Sequence, residues 1–593
     1  MGIKLFLPMT RNELEARKIS RPDVILVSGD AYIDSSFSGV AIIGRVLEAA
    51  GYSVGIISQP DLSSPGDITA LGEPGLFWGV TAGCVDSEIA NYTALGKPRR
   101  SCDFTPGGEN RKRPDRACIV YSNLIRRYFK NTVPIVLGGM EASLRRIAHY
   151  DFRTDRVRKS ILLDAKADIL VYGMGEQQVL QIADRLRDGK KLNNIPGTCV
   201  MGHDIPNDYI ALPECDHVED DPAVFARMFK TFYENSQGPG GRGLAQKYGL
   251  RYLIHHPPAP LLSMKELDRI YELPFMNNAH PDLKKQGEIR ALETIRDSIT
   301  THRGCYGECS FCSIAVHQGR SVVSRSMDSI VREAEDLVQQ PGFSGTIRDV
   351  GGATANMYAS GCSNLLKGEP CLDRHCTGFN GVCSKLNHGH LKQKRLLSRL
   401  RALPGVKRVH IASGIRYDLI LADKRYGSGY LEQIIREHVP GQMKIAPEHC
   451  SDGVLRLMNK PPGSKIKEFA NFYRKFAEKF RRNVFLSCYV IAAHPGCTLK
   501  DMDRFREFAR INLRFSPEQV QIFTPTPSTR STAMYWSGID PFTGKEVWSE
   551  KGIKGKSSQK QAVQVLDQGK PSSGRSEKTK KGKKIRNSKQ WKK

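Results

Sequence analysis

Three cysteines stand close together in Gly304-Cys305-Tyr306-Gly307-Glu308-Cys309-Ser310-Phe311-Cys312, a C-x3-C-x2-C run. Thiolates are the ligands of iron–sulfur clusters, and three on one loop hold three irons of a four-iron cluster. The fourth iron is then free to bind a small molecule. A cluster with all four positions filled by cysteine suits electron transfer. One with an open iron suits chemistry, just as a catalytic zinc keeps an open position. A zinc knuckle with His302 or His317 as fourth ligand is the competing reading. Zinc sites more often pair two short C-x-x-C units than crowd three thiolates on one loop. Disulfides conflict with the odd count of 15 cysteines and the lack of an export signal.

A second group, Cys362, Cys371, Cys376 and Cys383, is spaced C-x8-C-x4-C-x6-C. Four thiolates there suit a structural zinc or a second, fully ligated iron–sulfur cluster. The segment from Ser360 to His390 is poor in periodic apolar residues, so a metal would stand in for its missing core. His375, His388 and His390 are spare ligands; four unpaired thiols on an insertion are the alternative. The pair His255-His256 lies in an extended stretch, where neighbours point to opposite sides, so it is not expected to chelate.

The elements that must carry these groups read as alternating strand and helix. Asp23–Asp30, Ser53–Ser58, Leu76–Thr81, Pro134–Gly139 and Asp168–Gly173 are apolar runs of strand length. Gly39–Ala50 has helical spacing and Gly51 stops it. The class is therefore α/β, with an N-terminal doubly wound parallel-sheet domain over residues 1–200. A connecting segment, 201–290, follows. A second alternation runs over 291–540, with strands expected at Ser298–His302, Thr346–Gly352, Lys407–Gly414, Met443–Glu448, Phe485–Ile491 and Gln519–Pro525. Six repeats fit a partial (β/α)6 barrel carrying the Cys-rich insertion at 360–390. Its site belongs at the C-terminal strand ends. Those ends hold the cysteine loop, Gly351-Gly352, Ser413 and Glu448. Arg416, Tyr417 and Asp418 form a polar group just beyond the third strand, and Phe311 is a shield for the cysteines or a core aromatic.

The cysteine loop, with an aromatic before its last cysteine, resembles the signature of the radical S-adenosylmethionine (SAM) enzymes. That resemblance implies a [4Fe–4S] cluster on Cys305, Cys309 and Cys312, and SAM chelated at the open iron and cleaved reductively to a 5′-deoxyadenosyl radical. It implies that the Gly351 and Gly352 backbone meets the methionine amino end of SAM. The usual acidic residue after the glycines is Ala353 here. Ser413 and Glu448 become cofactor-binding candidates, Glu448 toward ribose hydroxyls; a helix N-terminal carboxylate is the alternative for Glu448. At finer grain the chain resembles the YgiQ-like radical SAM family over most of residues 1–540. Asp349–Tyr358, Ile411–Asp418 and Lys444–His449 are among the segments that carry the likeness. The N-terminal part resembles the cobalamin-binding-like domain of many such proteins. The loop Asp34-Ser35-Ser36-Phe37-Ser38-Gly39 lacks the histidine of the D-x-H-x-x-G pattern, so cobalamin held that way is not expected. A cobalamin-dependent methyl transfer enzyme remains an alternative. The resemblance implies a reaction type and a one-electron reductant of flavodoxin or ferredoxin type; it names no substrate, whether small molecule or macromolecule.

The net charge of +27 is uneven: residues 551–593 hold 15 Lys and Arg against 2 Asp and Glu. That composition predicts a disordered basic tail, placed at 541–593. Such a tail binds nucleic acid through phosphates or simply aids solubility, so a metal-containing nucleic-acid-binding protein is the rival function. No apolar run is long enough for a bilayer, and no secretory signal is expected from the first residues. A cytoplasmic, reducing location is the expectation.

Overall fold

A computed structural model describes residues 5–564 apart from 237, 239, 367–370, 372–374, 482–483 and 514–518. Its first layer is built on five parallel strands: β1 (Val24–Ser28), β2 (Val54–Ser58), β3 (Phe77–Thr81), β4 (Ile135–Leu137) and β5 (Ile169–Val171). They lie in the order β2-β1-β3-β4-β5. The order reverses between β1 and β3, the crevice where open α/β sheets place ligands. Successive residues face opposite sides, so the strands fill two cores. Ile25, Val27, Trp78 and Val80 enter one; Val24, Leu26, Phe77 and Val136 enter the other. Burial on both faces is why these strands read as unbroken apolar runs.

Residues 201–290 are more than a connection. Four strands, β6 (Thr198–Gly202), β7 (Ile210–Leu212), β8 (Leu244–Tyr248) and β9 (Arg251–His255), extend the sheet to the order β7-β8-β9-β6-β5-β4-β3-β1-β2. Pairing turns antiparallel at β5–β6. β8 and β9 form a hairpin across Gly249 (φ 60°). This part was hard to read because β9 runs straight into His255-His256-Pro257-Pro258, which looks like linker. In the fold His255 is buried and stacks on Tyr172 at 4.4 Å, and His256 Nδ1 lies 2.6 Å from the Tyr209 hydroxyl.

The second layer is an arc of parallel segments: β10 (Ser298–Thr300), β11 (Thr346–Ile347 with Asp349–Gly351), β12 (Arg408–Val409), β13 (Gln442–Glu448), β14 (Phe485–Ala492) and β15 (Gln519–Ile522). β10 pairs with β11, and β11 with β12. A parallel bridge from Ile415 to Ile445 continues to β13, and β13, β14 and β15 pair in turn. A single core joins Ile299, Ile347, Val350, Val409, Ile445 and Val490 to the helices outside. After β15, the helix Arg530–Ser537 packs back onto the first layer, where Trp536 stacks on Tyr150 at 5.0 Å. The molecule is thus mixed α/β with a large, mainly parallel sheet.

The expected disorder from 541 is corrected over 541–564. Ile553–Gln564 is a helix lying against Leu499–Phe508. Gln559 holds it by accepting from Ala493 N–H (2.9 Å) and donating to Cys497 C=O (3.0 Å), and Val563 enters the core. Few buried residues suffice here because specific hydrogen bonds fix the helix. The strongly basic stretch, 565–593, lies outside the described residues. Among the described residues no helix is long and apolar enough to cross a membrane.

Candidate functional site

The cysteine loop follows β10 and is fixed from three sides. Ser310 N–H donates to Met458 C=O (3.0 Å), and Ser531 N–H donates to Ser310 C=O (2.8 Å). The Asn459 amide donates to the carbonyls of Gly307 (3.3 Å) and Glu308 (3.1 Å). Asn459 adopts φ 53° just past the helix Asp452–Leu457, a position that favours Asn or Gly. Glu308, buried inside the loop, accepts from the Tyr233 hydroxyl (2.9 Å), pairs with Arg320 (3.2 Å) and bonds His375 (3.2 Å). Burial acts to raise its carboxyl, but His375 and Arg320 win and hold it below the usual range.

Cys305, Cys309 and Cys312 line one chamber of about 160 Å³ together with Phe311, Ala353, Thr354, Arg416, Asp418, Glu448 and Lys460. Burial pushes the Cys312 thiol up to about 12, with repulsion from Cys309 and Cys305 adding to it; Cys305 is raised for the same first reason. Two cations stand beside the thiols. Arg416 Nη1 lies 4.0 Å from Cys309 Sγ, while its other nitrogens grip Asp418 at 2.9 and 2.6 Å. Lys460 donates to Ala446 C=O (2.8 Å) and lies 3.5 Å from Glu448. Burial acts to lower the Lys460 ammonium, yet Cys309 and Glu448 leave it raised. Glu448 ends β13 at φ 66°, a strained conformation of the kind that collects at functional sites. It is not in the first turn of the next helix, where Asp452 stands. Gly307 packs under Arg416: a Cβ there would sit 2.6 Å from Arg416 Nη1 and push its guanidinium aside.

Among the described residues, no group of three ligand atoms within 4.8 Å of one another includes Cys305, Cys309 or Cys312. His302 and His317, the candidate fourth zinc ligands, are elsewhere. His302 bonds Thr301 (2.8 Å) and His317 bonds Ser143 (2.9 Å).

Both histidines instead line a larger cavity of about 410 Å³ between the two layers. The carboxyl ends of β1, β3, β4 and β5 face those of β10 and β11 across it. Its walls combine apolar side chains such as Leu26, Ile43, Phe77 and Val136 with a glycine rim that includes Gly83, Gly139, Gly173 and Gly352. Gly351, Gly352 and Ser413 stand on this cavity and not among the residues of the thiol chamber. Ser413 gives its hydroxyl to Asp349, whose other oxygen accepts Ala412 N–H at 2.8 Å. At Gly352 a Cβ would sit 2.6 Å from His302 C=O. Ala353 lines both spaces and so forms the partition.

The second cysteine group packs outside the triad loop. Burial pushes the Cys376 thiol up to about 12, helped by Glu308, Cys362, Cys383 and Cys371. Tyr417 also lines the thiol chamber, and its buried ring packs against Phe469 (5.8 Å). Lys460, Thr354 and Asn459 escaped the sequence reading. Asn before Lys-Pro-Pro-Gly marks a helix end, but no local pattern tells that Lys460 turns back toward Cys309.

Relatives bear on this site as a whole. A UPF0313 protein of Fusobacterium nucleatum subsp. nucleatum is 50% identical over 559 residues, covering 94% of this chain and 98% of its own. One from Thermotoga maritima is 46% identical over 565 residues, again 94% and 98%. The chain belongs to the UPF0313 family. Residues 6–298 of this UPF0313 protein match the family model described as Radical SAM N-terminal, so at the level of the superfamily it is a radical SAM protein. Among solved structures, the radical SAM methyltransferase TsrM from Kitasatospora setae, with cobalamin and a [4Fe-4S] cluster bound, gives a TM-score of 0.49 at 15% identity, covering 85% of this chain and 73% of that one. The cobalamin-dependent SAM radical enzyme OxsB gives 0.48 at 12%, covering 90% and 58%.

Proposed function

We propose that this UPF0313 protein is a radical SAM enzyme of the YgiQ-like kind, with the second layer serving as a partial (β/α)6 barrel. In this reading Cys305, Cys309 and Cys312 hold a [4Fe–4S] cluster. The observation that carries it is the thiol chamber, where Cys305, Cys309 and Cys312 meet two buried cations, Arg416 and Lys460. A cluster held there would supply the one electron for reductive cleavage of SAM to methionine and a 5′-deoxyadenosyl radical, the species that would take a hydrogen atom from substrate. Arg416 and Lys460 offset the negative charge of the thiolates and favour the SAM carboxylate. Glu448 accepts from ribose hydroxyls. Phe311, with Lys460 5.6 Å from its ring centre, shields the thiols from water. The substrate occupies the large cavity across Ala353, and a ferredoxin- or flavodoxin-type protein supplies electrons.

Anaerobically loaded protein, given SAM and a low-potential reductant, is expected to form 5′-deoxyadenosine and methionine. Iron-replete protein that yields neither product would overturn the assignment.

The cavity supports a second reading, a cobalamin-dependent methyl transfer, because it lies at the β1/β3 crevice and is large and mostly apolar. The loop 34–39 does not offer a cobalt ligand: Asp34 is ion-paired with buried Arg45. Nitrogen donors come from His302 and His317, which burial lowers to about 4 and keeps neutral. Gel filtration after anaerobic incubation with hydroxocobalamin decides it: a corrinoid spectrum in the protein peak supports this reading, and its absence removes it.

A further inference from the structure

Among its described residues, the insertion that carries the second cysteine group buries little apolar surface beyond Leu386. A two-residue ladder sets Gly361 and Cys362 opposite Asn387 and Leu386. Leu386 N–H donates to Cys383 C=O (3.1 Å), and Cys383 N–H donates to Cys376 C=O (2.9 Å). The ladder and these two bonds draw Cys362, Cys376 and Cys383 together. Cys371 joins from the other side, its Sγ 3.8 Å from the amide of Asn364, two residues past Cys362. Four thiols are therefore gathered by a fold that buries little else.

The insertion also rests on the triad loop. Cys305 and Tyr306 share one apolar cluster with Cys376, Cys383 and Leu386. Thr377 Oγ1 donates to Tyr306 C=O (3.4 Å), and the Asn459 amide that holds the triad loop reaches Thr377 C=O (3.4 Å). His375, next to Cys376, bonds Glu308, next to Cys309, at 3.2 Å. One hydrogen bond thus links a neighbour of each cysteine group. Cys371 is exposed, whereas Cys305, Cys309 and Cys312 are half-buried where they line the thiol chamber.

We propose that Cys362, Cys371, Cys376 and Cys383 hold a second iron–sulfur cluster, ligated by all four, that passes single electrons from the surface to the triad. Full cysteine ligation suits electron transfer and an open iron suits chemistry. An external one-electron reductant of ferredoxin or flavodoxin type gives up one electron to the outer cluster. That cluster passes it inward and returns to its oxidised state; no bond is made or broken and no proton moves. The relay rests on the reading of the triad given above, but metal binding by the outer group does not.

The test uses full-length protein prepared without oxygen: wild type, C305A/C309A/C312A, and C376S/C383S. Iron, sulfide and zinc are measured per chain, and reduced samples are examined by electron paramagnetic resonance. Wild type is expected to hold about eight irons and each variant about four. The reduced wild-type spectrum should be broadened or split relative to the sum of the two variants, because two paramagnets this close interact. A triad variant holding zinc, or no metal, overturns the second cluster while leaving the triad reading intact. Iron in the triad variant and none in C376S/C383S sinks the triad reading and the relay with it. Two clusters with simply additive spectra overturn the relay.

Discussion

The thiol chamber and the large cavity meet at Ala353, yet they are built by opposite means. The chamber is held by charge: Arg416 with Asp418, Lys460 with Glu448, and Glu308 with Arg320 and His375. Buried ions earn their place only when paired, so each of these groups needs the others. The cavity is held by what is missing. Glycines at its rim leave room, its walls are apolar, and its histidines are neutral.

The largest effect should come from separating the two. Cys305→Ala, Cys309→Ala or Cys312→Ala should each drop SAM cleavage to background. Ile43→Trp, which fills the cavity, should leave formation of 5′-deoxyadenosine in place. Equal loss in both, by product chromatography, would erase the division of labour.

Next in size is Arg416→Ala. It leaves Asp418 buried and unpaired beside the thiols, a change that typically costs about 3–5 kcal/mol. Chemical denaturation should show that loss, with reduced iron retention. Stability within about 0.5 kcal/mol of wild type would mean that water reaches Asp418.

A smaller effect, confined to the cavity, depends on pH. His302 takes a proton below about 6.5 when unfolded but only near 4 when folded, because burial opposes its charge. Between those values the unfolded chain binds more protons. Stability therefore falls as pH drops from 6.5 to 4, by roughly 1.4 kcal/mol per pH unit for this group, and levels off below. His302→Gln should flatten that slope, and an unchanged slope would show that His302 is charged in the fold.

The smallest effect is Gly352→Ala. Its Cβ must displace His302 C=O, at about 1–3 kcal/mol. Melting should register the change, and formation of 5′-deoxyadenosine should persist, as for Ile43→Trp.

Much of this contrast was visible in the chain and part of it was not. The triad was singled out because metal ligands come from a few residue types at short spacing, and the fold brings all three cysteines to one chamber. The strands β1 to β5 declared themselves because burial on both faces leaves unbroken apolar runs. Gly352 follows β11 directly and Ser413 stands four residues beyond the short β12, but which of the two spaces they line depends on how two layers face each other. No local pattern encodes that. The extension by β6 to β9 was hidden by short strands next to prolines. The helix Ile553–Gln564 was hidden by a charged neighbourhood, since its anchor is one buried glutamine rather than an apolar stripe. Lys460 and Asn459 act across more than 140 residues of sequence, beyond the reach of any periodicity.

The most direct measurement is the magnetic resonance signal of the reduced C376S/C383S protein, recorded with and without SAM. An open iron at Cys305, Cys309 and Cys312 predicts about four irons per chain and a signal that changes when SAM binds. Zinc or no metal at the triad, or a cluster signal indifferent to saturating SAM, would contradict the open-iron site.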